Sequence, residues 1–140
     1  MDNKKFIWPI RIYYEDTDAG GVVYYANYLK FFERARTEML RQMGFEQDEL
    51  IDRDGIIFAV RSAQIDYLKP ARFNDLIQVV TEVVEAKNVT FTFEQHMTRG
   101  DYVLTKSRIK IACLDAQTMR PKAIPETLFR SILEHTRNEH

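Results

Sequence analysis

Near Gly55 the hydrophobic period of the chain passes from helical to strand-like, and that change restricts its fold more than any other feature. From Tyr28 the residues Tyr28, Phe32, Ala35, Met39 and Met43 recur at spacings of four and three, while Lys30, Glu33, Arg34, Thr37 and Arg41 fall on the opposite side. This is the pattern of an amphipathic helix of about four turns or more. Asn27 is a candidate N-cap, the alternative being a start a few residues earlier, and Gly44 stands where a left-handed C-terminal cap is expected. A second, short helical turn is weakly signalled over Glu46 to Asp52. After Gly55 the pattern is strand-like: Ala59, Ala63, Ile65 and Tyr67 share one phase, Arg61 is the polar exception, and Pro70 interrupts the run. Leu76 to Glu85 and Val89 to Thr98 follow, the latter with Val89, Phe91, Phe93 and Met97 on a buried face and Thr90, Thr92, Glu94 and His96 on a wetter one. Arg99-Gly100-Asp101 has hairpin-turn chemistry, which explains that tripeptide better than an adhesion signal, and a strand from Tyr102 to Leu114 comes next.

At the N-terminal side, Phe6 to Tyr14 reads as a strand that Pro9 places near an edge or a bulge. Near the other end, Pro125 and Glu126 open a short helix with the stripe Leu128, Phe129, Ile132 and Leu133. One strand, one long helix and then a series of strands predict an α+β domain over residues 1–140, with an antiparallel sheet covering the helix stripe.

Charge and length narrow the partners. With 20 Lys and Arg against 21 Asp and Glu, and no basic block, nucleic acid is not expected as a partner. The longest apolar run, Ile56 to Val60, is far below the ~20 residues that cross a bilayer. The few apolar residues after Lys5 lack a small-residue cleavage site, so a cytoplasmic protein is expected. Cys113 is the single cysteine, which excludes an internal disulfide and a cysteine-based zinc cluster, and its apolar surroundings favour packing over reactivity.

Polar chemistry is densest between Ile12 and Tyr28. A helix-loop-helix calcium loop counted from Asp16 would put Gly20 and Asn27 where an acidic or amide residue and a glutamate are needed. Gly20-Gly21 lacks the third glycine and the parallel unit of a dinucleotide loop. Phosphotransfer by the aspartates would need a parallel sheet. The plain alternative is that Asp16, Asp18, Gly20 and Gly21 only form a turn and cap the helix. Against it stands position. A helix that starts near Tyr24 or Tyr25 offers unpaired N–H groups and a positive dipole end, which favour a carboxylate or a developing oxyanion. Such donors commonly supply ~3 to 4 kcal/mol each in acyl transfer, and a carboxylate upstream can attack the carbonyl or activate water.

The run Asp16-Thr17-Asp18-Ala19-Gly20-Gly21-Val22-Val23-Tyr24, with Asn27-Tyr28, Phe32-Glu33-Arg34-Ala35-Arg36-Thr37-Glu38, Tyr67, Pro70-Ala71 and Asp75-Leu76, resembles the acyl-CoA thioesterases of the YbgC and 4-hydroxybenzoyl-CoA thioesterase type. The resemblance covers most of the chain. It implies the hotdog fold, a curved antiparallel sheet wrapped around one long central helix, and subunits paired through their sheets as a dimer or dimer of dimers with active sites at the interface. It implies hydrolysis of an acyl-CoA or acyl-carrier-protein thioester without a metal or bound cofactor, coenzyme A being part of the substrate. Asp18 then matches the catalytic carboxylate, as nucleophile or general base, and the Tyr25 N–H matches the carbonyl donor. Asp16 matches no catalytic position, which leaves it a turn residue.

Tyr25 is a departure, because many YbgC-type members have histidine there; the 4-hydroxybenzoyl-CoA branch accepts tyrosine and uses the main chain. No histidine lies in the motif, so His96, His135 and His140 receive no role, and a hotdog dehydratase, which needs a catalytic histidine there, is disfavoured. Tyr24 belongs to the same helix start as a substrate-binding candidate. Tyr14 either orients Asp18 through its hydroxyl or packs in the core. Arg61 and Ser62 are either contributions to the partner's site or ordinary edge-strand residues, and Lys87 and Asn88 either contact CoA phosphates or form a solvated turn. An acyl-binding or scaffolding module without efficient chemistry is the alternative to the enzyme, and the family adds a genomic association with the Tol-Pal envelope system or phospholipid synthesis.

Overall fold

The computed structural model describes residues 5–136. Five antiparallel strands form one sheet in the order β1-β3-β4-β5-β2: β1 (Phe6–Arg11), β2 (Ile56–Tyr67), β3 (Leu76–Ala86), β4 (Thr90–Arg99) and β5 (Tyr102–Asp115). Helix α1 (Tyr25–Gln42) follows β1 and precedes β2, which lie on opposite edges, so it must cross the whole sheet. Its 18 residues span ~27 Å at ~1.5 Å each, more than the ~19 Å between the outer strands of a five-stranded sheet. This is the expected α+β hotdog architecture.

Curvature comes from register shifts between Val60 and Ser62, Val83 and Glu85, and Met97 and Thr98, since each bulge bends and twists its strand. The shift in β2 corrects the expected alternation. Ala63, Ile65 and Tyr67 pair with Ile109, Ser107 and Thr105 on the inner face, but before the bulge the inner phase is carried by Ile56, Phe58 and Val60 and not by Ala59. Arg61 is the unpaired residue, which explains a polar side chain that broke the pattern.

Because the sheet wraps around α1, the buried stripe is wider than expected. Phe31, Arg36 and Leu40 are buried alongside Tyr28, Phe32, Ala35 and Met39, whereas Met43 is half-buried. Gly44 has φ +98° and caps the helix as anticipated. A single turn, α2 (Gln47–Glu49), continues into a wider turn over Leu50–Asp54 that ends at Gly55 with φ +66°. The first strand stops at Arg11 and not near Tyr14, because the Asp16 carboxylate accepts the Tyr13 N–H at 2.8 Å and curls Tyr14–Asp16 into a 3-10 turn. On β4, Thr90 and Thr92 are buried on the face expected to be wet; Thr92 stands in register between the longer Glu85 and Lys110. In α3 (Glu126–Glu134), Leu128 and Ile132 are buried, but Leu133 is 48% exposed because the helix rests only one edge of its stripe on the domain. Cys113 is fully buried, and burial pushes its thiol up to about 11, in keeping with packing. No helix among the described residues is long and apolar enough to cross a membrane.

Candidate active site

Asp18 lies in a turn built by its neighbours. Its Oδ1 accepts the Gly20 N–H at 2.8 Å, its carbonyl accepts the Gly21 N–H at 3.0 Å, and its own N–H donates to the Val22 carbonyl at 2.9 Å. Gly21 has φ +80°, which a side chain would resist. A Cβ at Gly20 would approach Asp18 Oδ1 to 3.3 Å. The loop is fastened to residues 71–73: Val23 N–H donates to the Ala71 carbonyl at 2.8 Å and Phe73 N–H to the Gly21 carbonyl at 3.2 Å. Asp75 supports that segment in turn, accepting from the Arg72 N–H at 2.9 Å and from Arg99 Nη1 at 2.7 Å.

Helix α1 starts at Tyr25, with Tyr24 as N-cap and without a side-chain cap. Asn27 is not the cap; its Nδ2 donates to the Asp16 carbonyl at 2.9 Å, and the Tyr24 N–H donates to the same oxygen at 3.2 Å. Asp16 is therefore the turn-maker anticipated from its position. Among the described residues the Tyr25 N–H has no protein acceptor. It is one of the amides that a helix start cannot satisfy internally, and it lies at the positive end of the helix dipole.

A cavity of about 360 Å³ joins these parts, lined by Asp18, Val22, Val23, Tyr24, Tyr25, Tyr28 and the segment Tyr67 to Pro70. Tyr28 is buried, its hydroxyl accepts the Ala71 N–H at 3.0 Å, and burial raises its phenol above the ordinary value. Tyr67 packs its ring against both Tyr25 and Tyr28, and burial raises its phenol too. Lys69 holds its Nζ 4.6 Å from the centre of the Tyr102 ring. Asp18, Tyr24 and Tyr25 are thus brought together as expected, whereas Tyr67 and Lys69 were missed as site residues. Tyr67 stood among the residues that carry the resemblance and Lys69 stood beside Pro70, but nothing local ties that segment to a loop so far upstream.

The other candidates do not line this cavity within one chain. Tyr14 is 78% exposed and lies edge-on to Phe73, ring centres 5.7 Å apart, which excludes the core-packing alternative. Arg61 and Ser62 are exposed on the outer strand β2. Lys87 and Asn88 form the β3–β4 turn, with Lys87 Nζ 3.6 Å from Glu85 and the Asn88 carbonyl accepting the Ile124 N–H. His96 is half-buried on β4 and His135 follows α3, both away from the cavity lining; His140 is outside the described residues.

A carboxylate, an amide without a protein acceptor and an aromatic-walled hollow suit attack on a carbonyl. Comparison with known proteins agrees. The model of the thioesterase-like superfamily matches residues 13–132. The acyl-CoA thioesterase YbgC of Haemophilus influenzae is 50% identical over 126 residues, covering 90% of this chain and 92% of that protein. The acyl-CoA thioester hydrolase YbgC of Escherichia coli is 40% identical over 129 residues, covering 91% and 96%. A probable thioesterase from Bartonella henselae superimposes with a TM-score of 0.83 at 33% identity, covering 86% and 99%. The chain belongs to the thioesterase-like superfamily and, within it, to the YbgC thioesterases, a family of thioester hydrolases.

Proposed function

We propose that this chain hydrolyses acyl-CoA thioesters to a free acid and a thiol, with Asp18 as nucleophile or general base and the Tyr25 N–H donating to the thioester carbonyl. The observation that carries the reading is the shared cavity: Asp18 and the start of α1 line one hollow. As nucleophile, Asp18 bonds to the carbonyl carbon and the C–S bond breaks, its electron pair leaving with the thiolate. Water then cleaves the mixed anhydride and regenerates the carboxylate. As general base, Asp18 takes a proton from water while the oxygen attacks directly. Either route develops negative charge on the carbonyl oxygen, which an amide held in place beforehand stabilises. Neither uses a resident metal or cofactor.

The test is thiol release from a panel of short, long and aromatic acyl-CoAs by wild type and Asp18→Asn. A loss of kcat of roughly 100-fold or more in the variant, with folding kept, is expected; wild-type rates in Asp18→Asn overturn the assignment. Oxygen-18 from labelled water appearing in Asp18 after a single turnover supports the anhydride route, and its absence under proven turnover counts against it.

We also propose that two copies pair along β2, the sheet edge where Val60 is 54% exposed. Arg61 and Ser62, and the Lys87-Asn88 turn, would then serve the second copy's site, which fits their absence from the cavity lining in their own chain. Sedimentation at micromolar concentration is expected to give a dimer or a larger even assembly, and a monomer refutes the pairing.

A further inference from the structure

We infer that Tyr67 is a positioning residue whose ring holds the first turn of α1, and with it the Tyr25 N–H, in place for the thioester carbonyl; this rests on the function proposed above.

The start of α1 is poorly restrained by its own sequence. Tyr24 provides no side-chain cap, and no acidic residue stands in the first turn. Helix ends without such partners fray and occupy the least stable part of a structure. Yet a donor that stabilises a developing oxyanion must be in place before the reaction begins. The restraint therefore has to come from tertiary contacts.

Tyr67 provides one. It ends β2, and its ring centre lies 5.1 Å from that of Tyr25 at 57° and 5.2 Å from that of Tyr28 at 71°. These are tilted and edge-on geometries that aromatic pairs favour. Tyr25 and Tyr28 stand three residues apart, on one face of a single helical turn, so one ring from the sheet braces both. The platform beneath is fixed. Tyr67 pairs in register with Thr105, and the next N–H groups, of Leu68 and Lys69, donate to the Leu104 carbonyl at 2.8 and 3.0 Å. Tyr28 is anchored independently through its hydroxyl to the Ala71 N–H.

Asn27 tethers the same turn from its other side, through the Asp16 carbonyl. That bond holds the loop to the helix; the Tyr67 ring holds the helix to the sheet, and it alone of the two touches the side chain of the donor residue. Because the contact is ring against ring, phenylalanine should replace Tyr67, and an aliphatic side chain of similar bulk should not.

Steady-state hydrolysis of one acyl-CoA by wild type, Asp18→Asn, Tyr67→Phe and Tyr67→Leu, each with a thermal melt, tests this. Misplacing a catalytic group by ~1 Å costs on the order of 100-fold, so kcat for Tyr67→Leu should fall about tenfold or more while KM changes by less than about threefold. Tyr67→Phe should keep kcat within about threefold of wild type. Wild-type kcat in Tyr67→Leu, an equal loss in Tyr67→Phe, or a raised KM with kcat retained each overturns the inference while leaving Asp18 in its role. If Tyr67→Leu does not fold, Tyr67→Phe and Tyr67→Trp decide it, with kcat retained in the first and lost in both as the opposing results. No turnover by wild type, or wild-type rates in Asp18→Asn, refutes the function and the inference together.

Discussion

Replacing Gln95 by leucine should destabilise this protein more than almost any other single change at a polar residue. Gln95 is 1% exposed and joins three elements. Its Oε1 accepts from Arg36 Nη1 at 2.9 Å, and its Nε2 donates to the Phe32 carbonyl and to Thr81 Oγ1, both at 2.9 Å. Arg36 is itself 8% exposed, and burial, only partly countered by Glu33, lowers its guanidinium to about 10. A hydrogen bond to a charged group contributes ~1.5 to 3 kcal/mol and a neutral one ~1 kcal/mol. Losing one of the first kind and two of the second predicts a cost of about 3.5 to 5 kcal/mol. This is a large part of the ~5 to 15 kcal/mol that holds a domain together. Urea unfolding of wild type and Gln95→Leu at one fixed protein concentration measures it, fixed because assembly would otherwise shift the midpoint. The partner variant sharpens the test. In Arg36→Met with Gln95→Leu no guanidinium is left buried without its partner, so the double change should cost clearly less than the two single changes added together. A loss below about 1 kcal/mol in Gln95→Leu, or a double variant that equals the sum of the singles, refutes the reasoning.

Two further outcomes follow from the geometry. Gly21→Ala meets no atom within 4 Å, so its cost is backbone strain alone at φ +80°, ~1 to 2 kcal/mol of stability; because the Asp18 carbonyl is bonded to Gly21, kcat should also fall, and an unchanged kcat would show that the turn does not set the carboxylate. His96 is pushed below its ordinary 6.5 first by burial and then by Lys5 and Lys106, against Glu82 and Glu94. The unfolded chain therefore takes up this proton first, so its contribution is complete above pH 6.5 and is lost as pH falls from there through the folded value. His96→Gln should flatten stability between pH 7 and pH 5 in urea melts, and a slope equal to wild type's refutes the assignment.

Side-chain periodicity is a local property, which is why the helix and every strand could be located from residue order. The same locality explains the errors. The β2 phase shifted at Arg61 because a bulge depends on which strand lies alongside, and β5 is far along the chain. Gln95 sits on the buried phase of β4 between Phe93 and Met97, yet its role is not legible locally because its partners Arg36, Phe32 and Thr81 come from two other elements. The spacing of Asp18, Gly20, Gly21 and the helix start was legible because one continuous loop makes the turn.

The order of residues by itself determined a single long amphipathic helix, the strands that cover it, and a carboxylate set just ahead of an amide-rich helix start. Only the tertiary structure decided that Tyr67 and Lys69 close the same cavity and that Tyr14, Arg61, Ser62, Lys87 and Asn88 do not line it. The physical reason is that a turn's hydrogen bonds form between neighbours, whereas the walls of a cavity are chosen by sheet register and helix packing.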